Sequence, residues 1–247
     1  MTKPKILGVI TARGGSKGIK RKNIKLMLGR PLLAYTIIPA LKSELLTDVV
    51  VTSEDDEILK IAEAYGAPTI RRPAELAQDN VPTVQVLEHA LAEMERKRGE
   101  VYEYLILLQP TTPLRTVDDI NGALNELIKT NADSIISVVP TPGVNPEWMK
   151  YVVNDQLVDY DATLKDMSTR QSMKQIYIRN GCIYAAKRDL FLEFRSFKCP
   201  VTRPYIMDAQ LWANIDTNRD WILAEAIMKD MDWTHIPTWE ELSKRIN

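Results

Sequence analysis

The chain has 247 residues, 45% of them hydrophobic and 26% charged, so it carries enough apolar content for a substantial core and one domain over 1–247 is the default. With 32 Lys+Arg against 33 Asp+Glu the formal net charge is −1, which argues against nucleic acid or an anionic membrane as partner and requires any anion site to be local. Cys182 and Cys199 are too few for a disulfide framework or a zinc site, and the apolar run before Arg13 is too short for a secretory or membrane-spanning segment, so a cytoplasmic location is expected.

In chain order, the compact apolar run KILGVIT (5–11) reads as a buried strand that ends abruptly in a polar, glycine-containing loop. PLLAYTIIPALK follows with apolar residues at helical spacing, and Pro39 predicts a kink or an early end. DVVVT (48–52) is a second strand, and 54–65 a helix with acids in its first turn and Gly66 after its last. A short strand near Thr69 and Ile70, a helix over 83–96, the strand YLILL (104–108), a helix over 117–129 and the strand SIISVV continue the alternation. This order predicts a Rossmann-like α/β fold of three αβα layers around a mainly parallel, mixed sheet. Beyond Pro140 the alternation falters: TPGVNPEW is rich in turn formers, and KYVV and CIYAA predict a small inserted β lobe over about 140–185. A helix over 218–229 returns the chain to the main body.

Ligands of open α/β sheets bind beyond the carboxyl ends of the strands, so the loop Ala12–Asn23 lies where a site belongs. Gly14, Gly15 and Gly18 allow backbone amides to approach an anion, while Arg13, Lys17, Lys20, Arg21 and Lys22 concentrate positive charge in an otherwise balanced chain. A solvated basic turn is the bland alternative. Neither the P-loop spacing nor G-x-G-x-x-G is present, which weakens ATPase and dinucleotide readings. His89 falls in a partly apolar helical stretch and His235 near the end, places typical of packing or surface residues.

ARGGSKGIKRKN (12–23), followed by LGRPLLAYTI, resembles the opening of the acylneuraminate (sialic acid-type) cytidylyltransferases. The resemblance extends through RRPAELAQD (71–79), LLQPTTPLR (107–115), TRQ with IYIRNGCIY (169–184) and NIDTNRDW (214–221), five blocks in order over most of the chain. It implies a homodimeric enzyme, with the inserted lobe reaching its partner, that joins CTP to a nonulosonic acid, giving a CMP-sugar and pyrophosphate with Mg²⁺ as cofactor. The implied nucleotide-binding residues are Ala12, Arg13, Gly14, Gly15, Ser16, Lys17, Lys22, Asn23, Arg72 beside the cytosine, and Thr83. The implied sugar-binding residues are Gln109, Lys150, Arg170, Gln171 and Tyr184, with Arg179 and Asn180 nearby. Asn180-Gly181 also fits a plain structural turn, Arg72 a surface ion pair, and Gln109 a loop support.

Arg13, Lys17, Lys22 and Asp216 are the implied catalytic residues, since a phosphoryl-type transition state gains most from fixed cations and a metal-holding carboxylate. The resemblance departs at Asn214, where the family carries D-I-D-T; Asn214 and Asp216 alternate toward one face and would share the metal. Leu211 and Trp212 replace the arginine and serine that often precede that motif. Two other readings stand beside the favoured one: an eight-carbon ulosonate or other sugar nucleotidyltransferase, and a catalytically silent nucleotide-binding protein. Trp148, Phe191, Phe194 and Phe197 fit either a dimer surface or the core.

Overall fold

The computed structural model describes residues 3–141, 145–163 and 174–246. Strand β1 (Ile6–Thr11) is buried on both faces, with Ile6 and Ile10 entering one apolar layer and Leu7 and Val9 the other. A basic loop and a short ribbon of β2 (Leu26–Met27) and β3 (Arg30–Pro31) precede α1 (Ala34–Lys42), β4 (Asp48–Ser53), α2 (Asp56–Ala64) and β5 (Thr69–Arg71). The chain continues through α3 (Thr83–Arg98), β6 (Tyr104–Leu107), α4 (Val117–Thr130) and β7 (Ser134–Pro140). Strands β8 (Lys150–Val153) and β9 (Gln156–Asp159) pair as a separate hairpin. Last come β10 (Tyr177–Lys187), α5 (Arg188–Phe194), β11 (Thr202–Ile206), α6 (Asn218–Lys229) and α7 (Trp239–Ile246).

The main sheet has the order β11-β7-β10-β6-β1-β4-β5, and β10 runs against both its neighbours while the other described pairings are parallel. Helices α1, α2, α4, α6 and α7 cover one face and α3 and α5 the other. Burying each leucine or isoleucine of these layers stabilises the fold by ~1.5–3 kcal/mol relative to leaving it exposed. Phe191 and Phe197 belong to the α3/α5 layer and touch each other, whereas Trp148 and Phe194 are exposed. No described helix is long and apolar enough to cross a membrane.

Local chemistry explains where the helices start. Asp55 caps α2 by accepting from the Ile58 amide at 3.1 Å, and Thr116 with Asp119, and Thr217 with Asp220, form capping boxes on α4 and α6. Pro39 lies inside α1, which nonetheless reaches Lys42 instead of ending early. Ile37, Pro39 and Ala40 are buried, and that packing outweighs the ~3 kcal/mol usual for an interior proline. The inserted lobe also differs from the sequence expectation. Its described part is the β8–β9 hairpin, whereas CIYAA belongs to β10 inside the main sheet, where Cys182, Ile183, Ala185 and Ala186 are buried.

Candidate active site

From β1 the chain moves outward to β4 and β5 and then returns to β6 on the opposite side of β1, so a crevice opens beyond the carboxyl ends of these strands. The crevice is a cleft of about 580 Å³. Thr11, Arg13, Ser16, Lys17, Gly18, Lys22 and Asn23 line it after β1, Arg72 after β5, Asp79 and Thr83 before and at the start of α3, and Gln109 to Thr111 after β6. Asn214 and Asp216, just before α6, close the remaining side.

The basic loop is folded by its own residues. Asn23 is buried and donates through Nδ2 to the Arg13 carbonyl at 2.9 Å. Arg21, with φ 55°, pairs with Asp55 and, at 2.5 Å, with Glu57, which ties the loop to the start of α2. The Arg21 guanidinium holds the Asp55 carboxyl below its ordinary pKa, assisted by the Ile58 amide. Lys22 Nζ donates to the Ile215 carbonyl and, at 3.1 Å, to Asp216 Oδ1. Gly18 packs so tightly on that segment that a Cβ there would lie 2.0 Å from the Asp216 carbonyl oxygen.

Three consecutive acids after β4 organise the side of the cleft that follows β4 and β5. Glu54 accepts from the Gly14 amide through Oε1 and from Arg72 Nη2 through Oε2, both at 2.8 Å. Asp55 holds Arg21, and Asp56 pairs with Arg71. The Arg72 side chain is 3% exposed and also donates to the Ala12 carbonyl at 3.2 Å, while its Nε has no hydrogen-bond partner among the described residues. Burial pushes the Arg72 pKa down and Glu54 opposes that shift. Across the cleft mouth, Asp79 pairs with Arg13 at 2.7 Å and with Lys17 at 2.6 Å, and Lys17 first, then Arg13, holds its carboxyl below the ordinary range.

On the other side, the fully buried Arg115 donates to the Gln109 carbonyl from Nη1 and Nη2, at 3.2 and 2.9 Å, and to Thr36 Oγ1 at 3.2 Å. This fixes the turn that presents Gln109 to the cleft. Facing it, the register of β10 slips between Arg179 and Tyr184, with Gly181 at φ 79°. Asn180 is buried there: its Oδ1 accepts from Ser137 Oγ at 2.5 Å and from the Cys182 amide at 3.2 Å, and its carbonyl accepts from Trp212 Nε1 at 2.8 Å. A Cβ on Gly181 would sit 3.3 Å from Gln109 Oε1 and 3.7 Å from Asn214 Oδ1, so the bulge, Gln109 and Asn214 meet at one point. Asn214 Nδ2 donates to Asp216 Oδ2 at 2.8 Å.

The structure therefore brings Arg13, Ser16, Lys17, Lys22, Asn23, Arg72, Thr83, Gln109, Asn214 and Asp216 together. Ala12, Gly14 and Gly15 do not line the cleft; Ala12 contributes its carbonyl to Arg72, and the Gly14 amide is engaged by Glu54 rather than turned to an anion. Lys150 pairs with Asp159 across the hairpin, away from the cleft lining. Tyr184 packs against Phe197 in the α3/α5 layer, where burial raises its pKa. Arg170 and Gln171 lie outside the described residues. Glu54 and Asp79 carry no local signal in the sequence, because each acts through contacts with distant residues.

Asp216 has a side chain 64% exposed, and with the Asn214 carboxamide it offers oxygen donors to a hard cation. No group of three or more His, Cys, Asp or Glu residues that could hold a metal occurs among the described residues. This small donor set fits magnesium, which keeps waters and takes much of its ligation from substrate phosphates.

A cationic loop at the switch point of an open α/β sheet, faced by an exposed carboxylate, is the kind of site that takes a nucleotide's phosphates. The chain belongs to the cytidylyltransferase family, whose model matches residues 7–221. It is 34% identical over 98% of its length to an N-acylneuraminate cytidylyltransferase of Escherichia coli O18:K1:H7, of which it spans 57%. It is 32% identical to a CMP-N,N'-diacetyllegionaminic acid synthase of Legionella pneumophila, over 91% of this chain and 97% of that protein. A solved CMP:2-keto-3-deoxy-manno-octonic acid synthetase complexed with CTP shares the fold at TM-score 0.68 and 17% identity, over 91% of this chain and 98% of that one.

Proposed function

We propose that the protein transfers CMP from CTP to the anomeric hydroxyl of a nonulosonic acid and releases pyrophosphate. The observation that carries this reading is the convergence of Arg13, Lys17, Lys22 and Arg72 with Gln109 and Asp216 around one cleft at the switch point. Arg13 and Lys17 neutralise the departing pyrophosphate, and Lys22 links the same loop to Asp216. Arg72, with an unpartnered Nε beside the cleft, donates to the cytosine. Gln109, fixed by Arg115, hydrogen-bonds a sugar hydroxyl so that attack is oriented in line with the α-phosphorus. Asp216 and the Asn214 carbonyl hold magnesium, which when bound supplies charge neutralisation on the phosphates. Neither histidine lines the cleft.

The acceptor's carboxylate falls to arginine, with Arg170 the residue of choice and Gln171 beside it, while Lys150, paired with Asp159 on the hairpin, reaches a sugar only across the assembled enzyme. That assembly is a homodimer formed through the β8–β9 hairpin, whose Tyr151, Val152, Leu157 and Val158 are exposed. The enzyme acts in the cytoplasm. The test is pyrophosphate release from CTP and magnesium with sialic, legionaminic, pseudaminic and eight-carbon acids. Turnover with a nonulosonic acid that falls ~10²–10³-fold in Arg13→Ala or Lys17→Ala is expected. CTP binding without turnover on any acid overturns the reading.

A further inference from the structure

We propose that Glu54 is the positioning residue of the base subsite: it holds Arg72 in its reading position and fixes it to the opening of the basic loop. Glu54 stands just beyond β4, the strand between β1 and β5, and therefore midway between the loop that follows β1 and the arginine that follows β5. Its two carboxylate oxygens reach in different directions, Oε1 to the Gly14 amide and Oε2 to Arg72 Nη2, both at 2.8 Å. Arg72 Nη2 also donates to the Ala12 carbonyl at 3.2 Å. One terminal nitrogen is thus held by two acceptors, and Nε is left buried without a partner among the described residues.

The electrostatics point the same way. The side chain of Arg72 is 3% exposed and that of Glu54 19%. A buried guanidinium is costly unless paired, so Glu54 is what allows a charged donor to stand in this wall of the cleft. Removing the carboxylate charge leaves Arg72 without its anionic anchor and drives it toward solvent, whereas Lys17 and Lys22 keep their own partners, Asp79 and Asp216. The consequence is a division of labour. Replacing Glu54 by Gln removes the charge beside Arg72 while a carboxamide oxygen can still accept from the Gly14 amide, so recognition of the base is harmed and binding of the phosphate tail stays largely intact.

This rests on the cytidylyltransferase reading only for the identity of the base. The test is calorimetry with two probes, CTP and inorganic tripolyphosphate, each with magnesium, on wild type, Glu54→Gln, Arg72→Met and the double variant. Glu54→Gln is expected to weaken CTP at least 10-fold and tripolyphosphate less than 2-fold, and the double variant is expected to bind CTP no worse than Arg72→Met alone. Glu54→Asp, which keeps the charge but shortens the reach, is expected to recover part of the CTP affinity and gives a second measurement should the Gln variant fold poorly. Equal weakening of both probes, unchanged CTP affinity in both Glu54 variants, or additive losses in the double variant would overturn the proposal while leaving CTP binding by wild type intact. A wild type that binds tripolyphosphate but not CTP would overturn both this proposal and the reading on which it rests.

Discussion

Gly18→Ala is the sharpest perturbation of the cleft. The added carbon would lie 2.0 Å from the Asp216 carbonyl oxygen and 3.2 Å from the carbonyl carbon, against an ordinary contact that begins near 3.4 Å. The Cβ position is set by the backbone of residue 18 and the atoms it meets are backbone of Asp216, so no rotamer change relieves the clash, and the loop and the segment around Asp216 must separate by roughly 1 Å or more. That movement stretches the bonds from Lys22 Nζ to the Ile215 carbonyl and to Asp216 Oδ1. Because misplacing positioned groups by ~1 Å costs ~10²-fold in rate, turnover should fall by about that factor, with a stability loss of ~1–3 kcal/mol. The assay is pyrophosphate release with CTP and a nonulosonic acid, beside thermal melts. Gly15→Ala is the comparison, since its added carbon meets nothing within 4 Å, and it should lose at least ~10-fold less activity. Near wild-type turnover in Gly18→Ala would refute the idea that loop and carboxylate are held in register.

Asp79 occupies Arg13 and Lys17, so it competes with phosphate for both; Asp79→Asn should tighten inorganic pyrophosphate several-fold in calorimetry, and weaker binding would contradict this. Asparagine caps helices as well as aspartate, so Asp55→Asn isolates the pairing with Arg21 and should cost ~1 kcal/mol at pH 7. Because the folded-state pKa of Asp55 is depressed, that contribution is present above its unfolded pKa of about 3.9 and is lost as pH falls through the folded value. Urea melts of both proteins should therefore stay apart at neutral pH, begin to converge as pH falls below about 4 and coincide only below the folded-state pKa. Asn214→Asp adds a second carboxylate beside Asp216 and should lower the magnesium concentration needed for half-maximal turnover, whereas an unchanged titration would place residue 214 outside the ion's coordination.

Much of the sheet is legible in the sequence because β1, β4 and β6 are apolar runs buried on both faces, and α2 announces itself through the acids of its first turn and Gly66 beyond its end. Strand β10 was harder: Asn180-Gly181 has the chemistry of a turn, yet Asn180 is locked by Ser137 and Trp212 and the pair forms a bulge within one long strand. Pro204 disguises β11, which tolerates it as the edge strand of the sheet. In the site, Arg13, Lys17 and Lys22 are legible as clustered charge after a buried strand, and Arg72, Gln109 and Asp216 through the resemblance. Glu54 was not, since its role depends on Gly14, 40 residues before it, and Arg72, 18 after it. Asp79 is similarly defined by Arg13, 66 residues earlier.

Phosphorus NMR of the protein with CTP, magnesium and a nonulosonic acid tests the central claim most directly. The account expects the three CTP resonances to give way to one phosphodiester signal and pyrophosphate in equal amounts. Persistence of CTP with every nonulosonic acid supplied, or its conversion to CDP and inorganic phosphate, would contradict it.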